Sequence, residues 1–380
     1  MPGKSLITIL LSTFLAMAAL YSPQPLLPYF ARVFEVSEAE SASLISLSLL
    51  SMSIGPLFMG VLLQRYSPRL MLLCCLTGLL AATIAFSLLD SFVHMKWLRF
   101  VKGGIIAAQL AATMTYITSA STRMGQVMAY YVGAAIMGGL SGRLLAGFIS
   151  EYASWRFFFA GLGVLFVVCL WQAFYLPDVQ QNQRKTVSLK AFSDVLRDGY
   201  ILRMYMIIAL AFFVMTGILN YIPFRLEELS PAIGESRISL FYLGFVLGCI
   251  VTINAPRIAD RVGGAFHAAK IGILSVFLGL LLAFTTSVAL TFWVVTLVTC
   301  GFFLQHTSIA TLLNRYAGER AGVVNSLYIS VYYFGGSAGA YLPGLIYESY
   351  NWMMFTILLI LVIILSAIVA QTVKVVETLS

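Results

Sequence analysis

The side chains of this chain that could do chemistry inside its long apolar runs are Arg99, Lys102, Arg143, Asn220, Gln305 and His306. A charged side chain surrounded by hydrocarbon costs about 2.5–3.5 kcal/mol or more, so such groups are paired or functional. Arg99 and Lys102 are three residues apart and share a helix face. They start about five residues into a helix, roughly 8 to 12 Å below its outer boundary at 1.5 Å per residue. Lys102 could reach the headgroups by snorkelling. For Arg99 the readings are a polar path through the membrane, snorkelling, or a pair with Asp90. His306 titrates near neutral pH; it either takes up a proton or binds a solute, or it hydrogen-bonds a neighbouring helix. Tyr328 and Tyr332, one turn apart, either line a cavity or pack. No Asp or Glu lies in the middle of any apolar run. The carboxylate that often carries a proton across a membrane is therefore missing, which leaves His306 or the end-placed acids Asp90, Glu151 and Glu228. Fixed positive charge around a cavity selects anionic or strongly hydrogen-bonding solutes over organic cations.

The elements that hold these groups belong in a bilayer. Of 380 residues, 60% are hydrophobic and 10% charged, against about 25% charged in a soluble domain. Apolar runs near the roughly 20 residues that cross a hydrocarbon core recur from end to end. They lack the dyad alternation of a membrane barrel, so helices are expected. Twelve are placed, at 5–31, 41–63, 69–89, 95–121, 127–149, 157–176, 201–225, 238–258, 268–287, 290–313, 321–347 and 351–373. The expected fold class is an all-α integral membrane protein. With both termini in the cytoplasm, most Lys and Arg fall inside, among them Arg65, Arg69, Arg123, Arg184, Lys185, Arg261 and Lys374, and most acids outside, as the positive-inside rule requires. The +8 net charge does not point to nucleic acid, which needs basic residues clustered on a solvated surface. The five cysteines sit in apolar segments without metal-ligand or disulfide spacing, and no metal or cofactor is expected. No Asn-x-Ser/Thr acceptor occurs, which fits a bacterial inner membrane. Residues 1–30 do not read as a cleavable signal.

The chain is one unit written twice. Gly138 to Trp155, GGLSGRLLAGFISEYASW, returns as Gly335 to Trp352, GGSAGAYLPGLIYESYNW. Gly138/Gly335, Gly139/Gly336, Gly142/Gly339, Gly147/Gly344, Glu151/Glu348 and Trp155/Trp352 all stand 197 residues apart. Glycines on nearby faces serve close helix packing. The informative mismatch is Arg143 against Ala340, so the halves are not equivalent. Two six-helix halves, 1–176 and 201–380, are expected, with 177–200 as a cytoplasmic linker; this is the parallel-repeat plan of carriers with a midplane site. Pro23, Pro25 and Pro28 in SPQPLLP remove donors from the end of the first helix. Carbonyls around Tyr21 and Gln24 either open to a cavity or lie at a simple bend.

Two loops carry a more specific resemblance. GVLLQRYSPR (Gly60 to Arg69) and PRIADRVGG (Pro256 to Gly264) resemble the cytoplasmic loop motif of the major facilitator superfamily. Gly60, Arg65 and Arg69 match in the first copy, where Gln64 replaces the acid. Asp260, Arg261 and Gly263 match in the second, where Pro256 replaces the glycine. Arg99, Lys102 and Gly103 are similar to the family's Arg-x-x-Gln-Gly element, with lysine for glutamine. GGLSGRLLAG followed by SWR, with SPQPLLP, GFFLQH and SLYISVYYFGG, resembles the YnfM branch of bacterial transporters. The resemblance implies a major facilitator fold, a cytoplasmic gate at the loop motifs, and a monomeric, multi-pass carrier exporting a small solute in exchange for protons. Uptake or exchange of a small organic anion is the alternative reading, and a non-transporting receptor or lipid-handling protein is the alternative from another class. No enzyme is expected: no nucleotide loop or acid–base pair has the right spacing.

Overall fold

The computed structural model describes residues 3–121, 124–179 and 189–373. The expected inside positives Arg123, Arg184, Lys185 and Lys374 lie outside the described residues. All regular structure among the described residues is helical: α1 (Gly3–Tyr21), α2 (Leu27–Phe34), α3 (Glu38–Arg65), α4 (Pro68–Leu88), α5 (Phe92–Ala120), α6 (Met124–Tyr152), α7 (Trp155–Ala173), α8 (Leu189–Leu196), α9 (Gly199–Leu229), α10 (Glu235–Leu240), α11 (Gly244–Val262), α12 (Ala265–Leu282), α13 (Val288–Ala317), α14 (Ala321–Ser349) and α15 (Trp352–Gln371). Among the described residues, eleven stretches are long and apolar enough to cross a bilayer. The longest, Val288–Ser349, has 62 residues and contains both α13 and α14; a 3-10 turn at Gly318–Arg320 parts them. The expected twelve spans are consistent with this arrangement.

Two expected helices are interrupted. The first stops at Tyr21, passes through a 3-10 turn at Gln24–Leu26 and restarts as α2, because Pro23, Pro25 and Pro28 cannot donate to the ladder. The eighth is divided into α10 and α11 by a 3-10 turn at Phe241–Leu243. The helix α8, within the 177–200 segment, was not expected. At both Trp155 and Trp352 a polar residue opens the helix. Ser154 accepts from the Arg156 amide at 3.2 Å and Asn351 from the Met354 amide at 3.0 Å; Ser and Asn are strong N-caps because they satisfy donors the helix cannot.

The chain forms two compact units. Unit 1 is drawn from within Met1–Glu35, Leu47–Lys185 and Gly234–Ser239, and unit 2 from within Val36–Ser46, Thr186–Ile233 and Leu240–Ser380. The same seam is built in each. In unit 1, Gly138 and Gly142 of α6 lie against the backbone of Phe14 and Ala18 in α1; in unit 2, Gly335 and Gly339 of α14 lie against Ala209 and Phe213 in α9. A Cβ at any of the four would collide with main chain, which cannot yield as a flexible side chain would. Gly139 faces Tyr21 and Arg143, Gly336 faces the Phe212 ring, Gly147 faces Glu235 and Ser239, and Gly344 faces the Tyr221 hydroxyl.

The repeated acids also do one job twice. In unit 1, Glu151 accepts a hydrogen bond from the Ser236 amide at 2.7 Å. In unit 2, Glu348 accepts one from the Ala39 amide at 2.5 Å. Each carboxylate thus sits at the start of a helix, α10 or α3, where unpaired N–H groups and the positive end of the dipole favour an anion. Ser46 and Ser337 fasten α3 to α14 through mutual hydroxyl–carbonyl bonds at 2.9 Å.

The glycine seam predicts a sharp contrast. Gly142→Leu should abolish the monodisperse folded protein, because overpacking against backbone costs at least about 1–3 kcal/mol. Gly133→Leu on the same helix, where a Cβ would meet nothing within 4 Å, should leave yield and melting temperature in detergent unchanged.

Candidate functional site

The break after α1 organises the polar interior of unit 1. Ser22 makes the last rung, its amide donating to the Ala18 carbonyl at 3.1 Å. Pro23 has no N–H to offer the next carbonyl, that of Ala19. Arg99 of α5 supplies the donors: Nη1 to the Ala19 carbonyl at 2.8 Å and Nη2 to the Leu20 carbonyl at 2.5 Å. The Arg99 side chain is fully buried, so it does not snorkel. It does not pair with Asp90 either, which is bound by Arg156. The Arg99 carbonyl in turn accepts from the Ser48 hydroxyl at 3.0 Å, and Gly103 lets α5 approach the Ser48 backbone closely.

Arg143 of α6 meets the other side of the break. Its Nε donates to Gln24 Oε1 at 2.6 Å and its Nη1 to the Gly139 carbonyl at 2.9 Å. Its guanidinium carbon lies 4.3 Å from the centroid of the Tyr21 ring, a cation–π arrangement. Tyr21 and Gln24 flank the interruption, so the prolines that break α1 also present both partners to Arg143. The planar fork of a guanidinium is the group that matches carboxylate or phosphate geometry.

Lys102 is also fully buried and does not reach a membrane surface. Its ammonium nitrogen lies 5.9 Å from the Phe86 ring and 5.6 Å from the Phe159 ring. It has no hydrogen-bond acceptor among the described residues. Sequence reading passed over Gln109, which is fully buried and donates to Ser12 and Thr113, both at 3.0 Å. An uncharged amide in the middle of GGIIAAQLAAT was the available signal.

In unit 2, Asn220 of α9 donates to the Ala340 carbonyl at 3.4 Å. Ala340 is the repeat counterpart of Arg143, so where the first unit has a guanidinium the second has an alanine whose backbone carbonyl accepts from an amide on α9. Gln305 is buried against the α12–α13 seam, donating to the Gly301 carbonyl at 3.3 Å beside Gly272. His306, the next residue, points elsewhere: its Nδ1 is 2.8 Å from the Tyr328 hydroxyl of α14. The imidazole belongs to a layered group of rings. It stacks on Phe302 at 5.8 Å; Phe212 stacks on Tyr332 at 4.1 Å with planes 4° apart; Tyr332 and Tyr328 lie 8° from parallel.

The loop-motif residues act mainly at helix ends. Gly60 and Arg65 belong to the last part of α3, and Arg65 is exposed. Arg69 donates to the Phe174 carbonyl at 2.7 Å, closing the end of α7. Gly263 has φ +87° and ends α11, the left-handed cap for which glycine is favoured; Asp260 and Arg261 are exposed.

The two buried cations of α5 should respond oppositely to removal. Arg99→Met should lower the melting temperature in detergent by several degrees, since two buried carbonyls lose their donors at about 1–3 kcal/mol each. Lys102→Met should leave it unchanged or raise it, because an unpaired buried ammonium is replaced by an apolar chain of similar length.

Comparison with known proteins agrees with this architecture. Residues 9–340 match the model of the Major Facilitator Superfamily. An uncharacterized transporter of Buchnera aphidicola (subsp. Schizaphis graminum) is 25% identical, over 98% of this chain and 92% of its own length. The inner membrane transport protein YnfM of Escherichia coli K12 is also 25% identical, over 88% of this chain and 82% of its own. Among solved structures, a bacterial homolog of the human lysosomal transporter Spinster, inward-facing and occupied, superposes with a TM-score of 0.81. It is 12% identical and covers 99% of this chain and 96% of its own, a likeness of fold. A helical membrane protein that matches the family over residues 9–340 belongs to the major facilitator superfamily and is a membrane transporter of that type.

Proposed function

We propose that this transporter moves a small anionic or polar neutral solute across a bacterial inner membrane by alternating access, exporting it in exchange for protons. Arg143 carries the proposal. It is a buried guanidinium that binds Gln24, Gly139 and Tyr21, at the position where the internal repeat has Ala340 in its second copy. In this reading a solute anion engages Arg143 or the gate that it holds, and Asn220 occupies the matching place in the second half. The two six-helix halves, 1–176 and 201–380, alternate about the linker 177–200 as a monomer with both termini cytoplasmic. Gly60, Arg65, Arg69, Asp260, Arg261 and Gly263 form the inner gate, and His306 with Tyr328 is the proton-carrying candidate. Arg99 supports the path by holding its broken helix, and Lys102 and Gln305 are further buried candidates, one in each half. Bacterial relatives, one of them named as an inner membrane transport protein, support the location.

The second reading, uptake or exchange of a small organic anion without proton drive, is favoured by one observation. No Asp or Glu lies in the middle of a membrane-spanning run, so the usual proton carrier is missing.

Flux into proteoliposomes, with and without an imposed pH gradient, decides between them across matched anionic, neutral and cationic compounds. The expected result is gradient-driven movement of an anion or polar neutral solute, with Arg143→Gln slowing it roughly tenfold or more, the scale of a lost charge-assisted hydrogen bond. Anion movement indifferent to the gradient supports the second reading. Gradient-driven movement of cations alone contradicts both.

A further inference from the structure

In unit 2, α12 and α15 leave a cavity of about 340 Å³ between them, large enough for part of a small-molecule or lipid ligand. Its lining is apolar along most of its length: Leu274 and Phe277 come from α12, and Ala367 and Ala370 from α15. The two alanines place methyl groups where longer side chains would close the recess. Leu274 is 54% exposed, so the recess opens sideways, towards the face that lipid covers. Its polar residues, Lys270 and Gln371, gather at one end. Lys270 lies in the second turn of α12 and Gln371 is the last residue of α15, which puts them at headgroup depth. Phe277 is seven residues further along α12, about 10 Å deeper at 1.5 Å per residue.

The charge at that end is available. Lys270 is exposed, its ammonium lies 4.8 Å from the Phe266 ring, and it forms no ion pair with a carboxylate among the described residues. An apolar slot that begins at a cation and an amide and runs inward matches one chemistry: a phosphate with an acyl chain below it. We propose that this groove binds an anionic phospholipid, with the phosphate at Lys270, the glycerol or ester oxygens at Gln371, and one acyl chain along Ala367 and Phe277. Acyl contacts alone would not distinguish lipids, since every bilayer lipid has them; the headgroup charge at Lys270 sets the preference.

The test is native mass spectrometry of the purified full chain in detergent. Palmitoyl-oleoyl phosphatidylglycerol is compared with the phosphatidylcholine of the same chains. The wild-type chain should retain the first bound phosphatidylglycerol roughly fivefold more tightly, the scale of one basic side chain at an anionic surface. Lys270→Ala should bring the two lipids to parity. Ala367→Trp, which fills the groove, should lose the tightly held lipid, whereas Leu361→Trp, at a 58% exposed position on α15 outside the lining, should keep it. Parity of the lipids on the wild-type chain, an unchanged preference in Lys270→Ala, or a dimer mass in place of bound lipid would overturn the proposal. None of these readouts depends on solute flux, so the lipid site and the transport reading fail separately.

Discussion

A backbone carbonyl inside a membrane must find a donor, because no water is there to supply one. The break after α1 creates that demand and Arg99 meets it. Pro23 removes the N–H that would have bonded Ala19, and the guanidinium of Arg99 binds Ala19 and Leu20 instead. The fork of a guanidinium suits two adjacent carbonyls better than an ammonium would, which accounts for arginine here and gives a reason for the side chain to be wholly buried. Once the break is held open, Tyr21 and Gln24 can face α6 and take Arg143 between them. Arg99 is thus the support of the break, and Arg143 of the repeated stretch is held beside it.

The internal repeat explains how a break can be kept without loosening the unit. The seam of α6 on α1 passes through Gly138 and Gly142, which bring the two backbones into direct contact just before the interruption. The seam of α14 on α9 is made in the same way, yet α9 runs unbroken from Gly199 to Leu229 and has Pro223 only near its end. The Leu219 carbonyl, which Pro223 leaves without an amide donor, accepts from the Tyr242 hydroxyl at 2.8 Å, so no guanidinium is needed, and Ala340 stands where Arg143 would be. The halves differ in how they meet the same demand: a guanidinium serves the break after α1, and a tyrosine hydroxyl serves the carbonyl that Pro223 frees in α9. Glu151 and Glu348 remain common to both because each binds a backbone amide at a helix start.

Much of this was legible in the sequence. Composition and run length gave helices in lipid, and the spacing of 197 residues picked out the paired packing glycines and the paired acids. Arg143 was marked by the mismatch with Ala340, and the prolines marked the break. What sequence could not supply was direction. Arg99 and Lys102 share a helix face, yet one reaches backbone carbonyls and the other two phenyl rings, a distinction set by neighbours far away in sequence. Gln305 and His306 are adjacent, but a helix turns them onto different seams, one against Gly272 and the other against Tyr328. Glu151 and Glu348 read as outer acids; that each caps a helix from a remote segment depends on tertiary packing alone.

The central claim is that Arg99 stands in for the amide that Pro23 lacks. Pro23 has φ −71° and ψ −17°, a helical conformation that alanine adopts without strain, so Pro23→Ala would restore a donor for the Ala19 carbonyl. The decisive measurement is a double-mutant cycle of Pro23→Ala and Arg99→Met by thermal unfolding in detergent. The account predicts that Arg99→Met costs clearly less stability in the Pro23→Ala background than in the wild type. An equal cost in both backgrounds would mean that Arg99 is not the partner of the break, and the account would be contradicted.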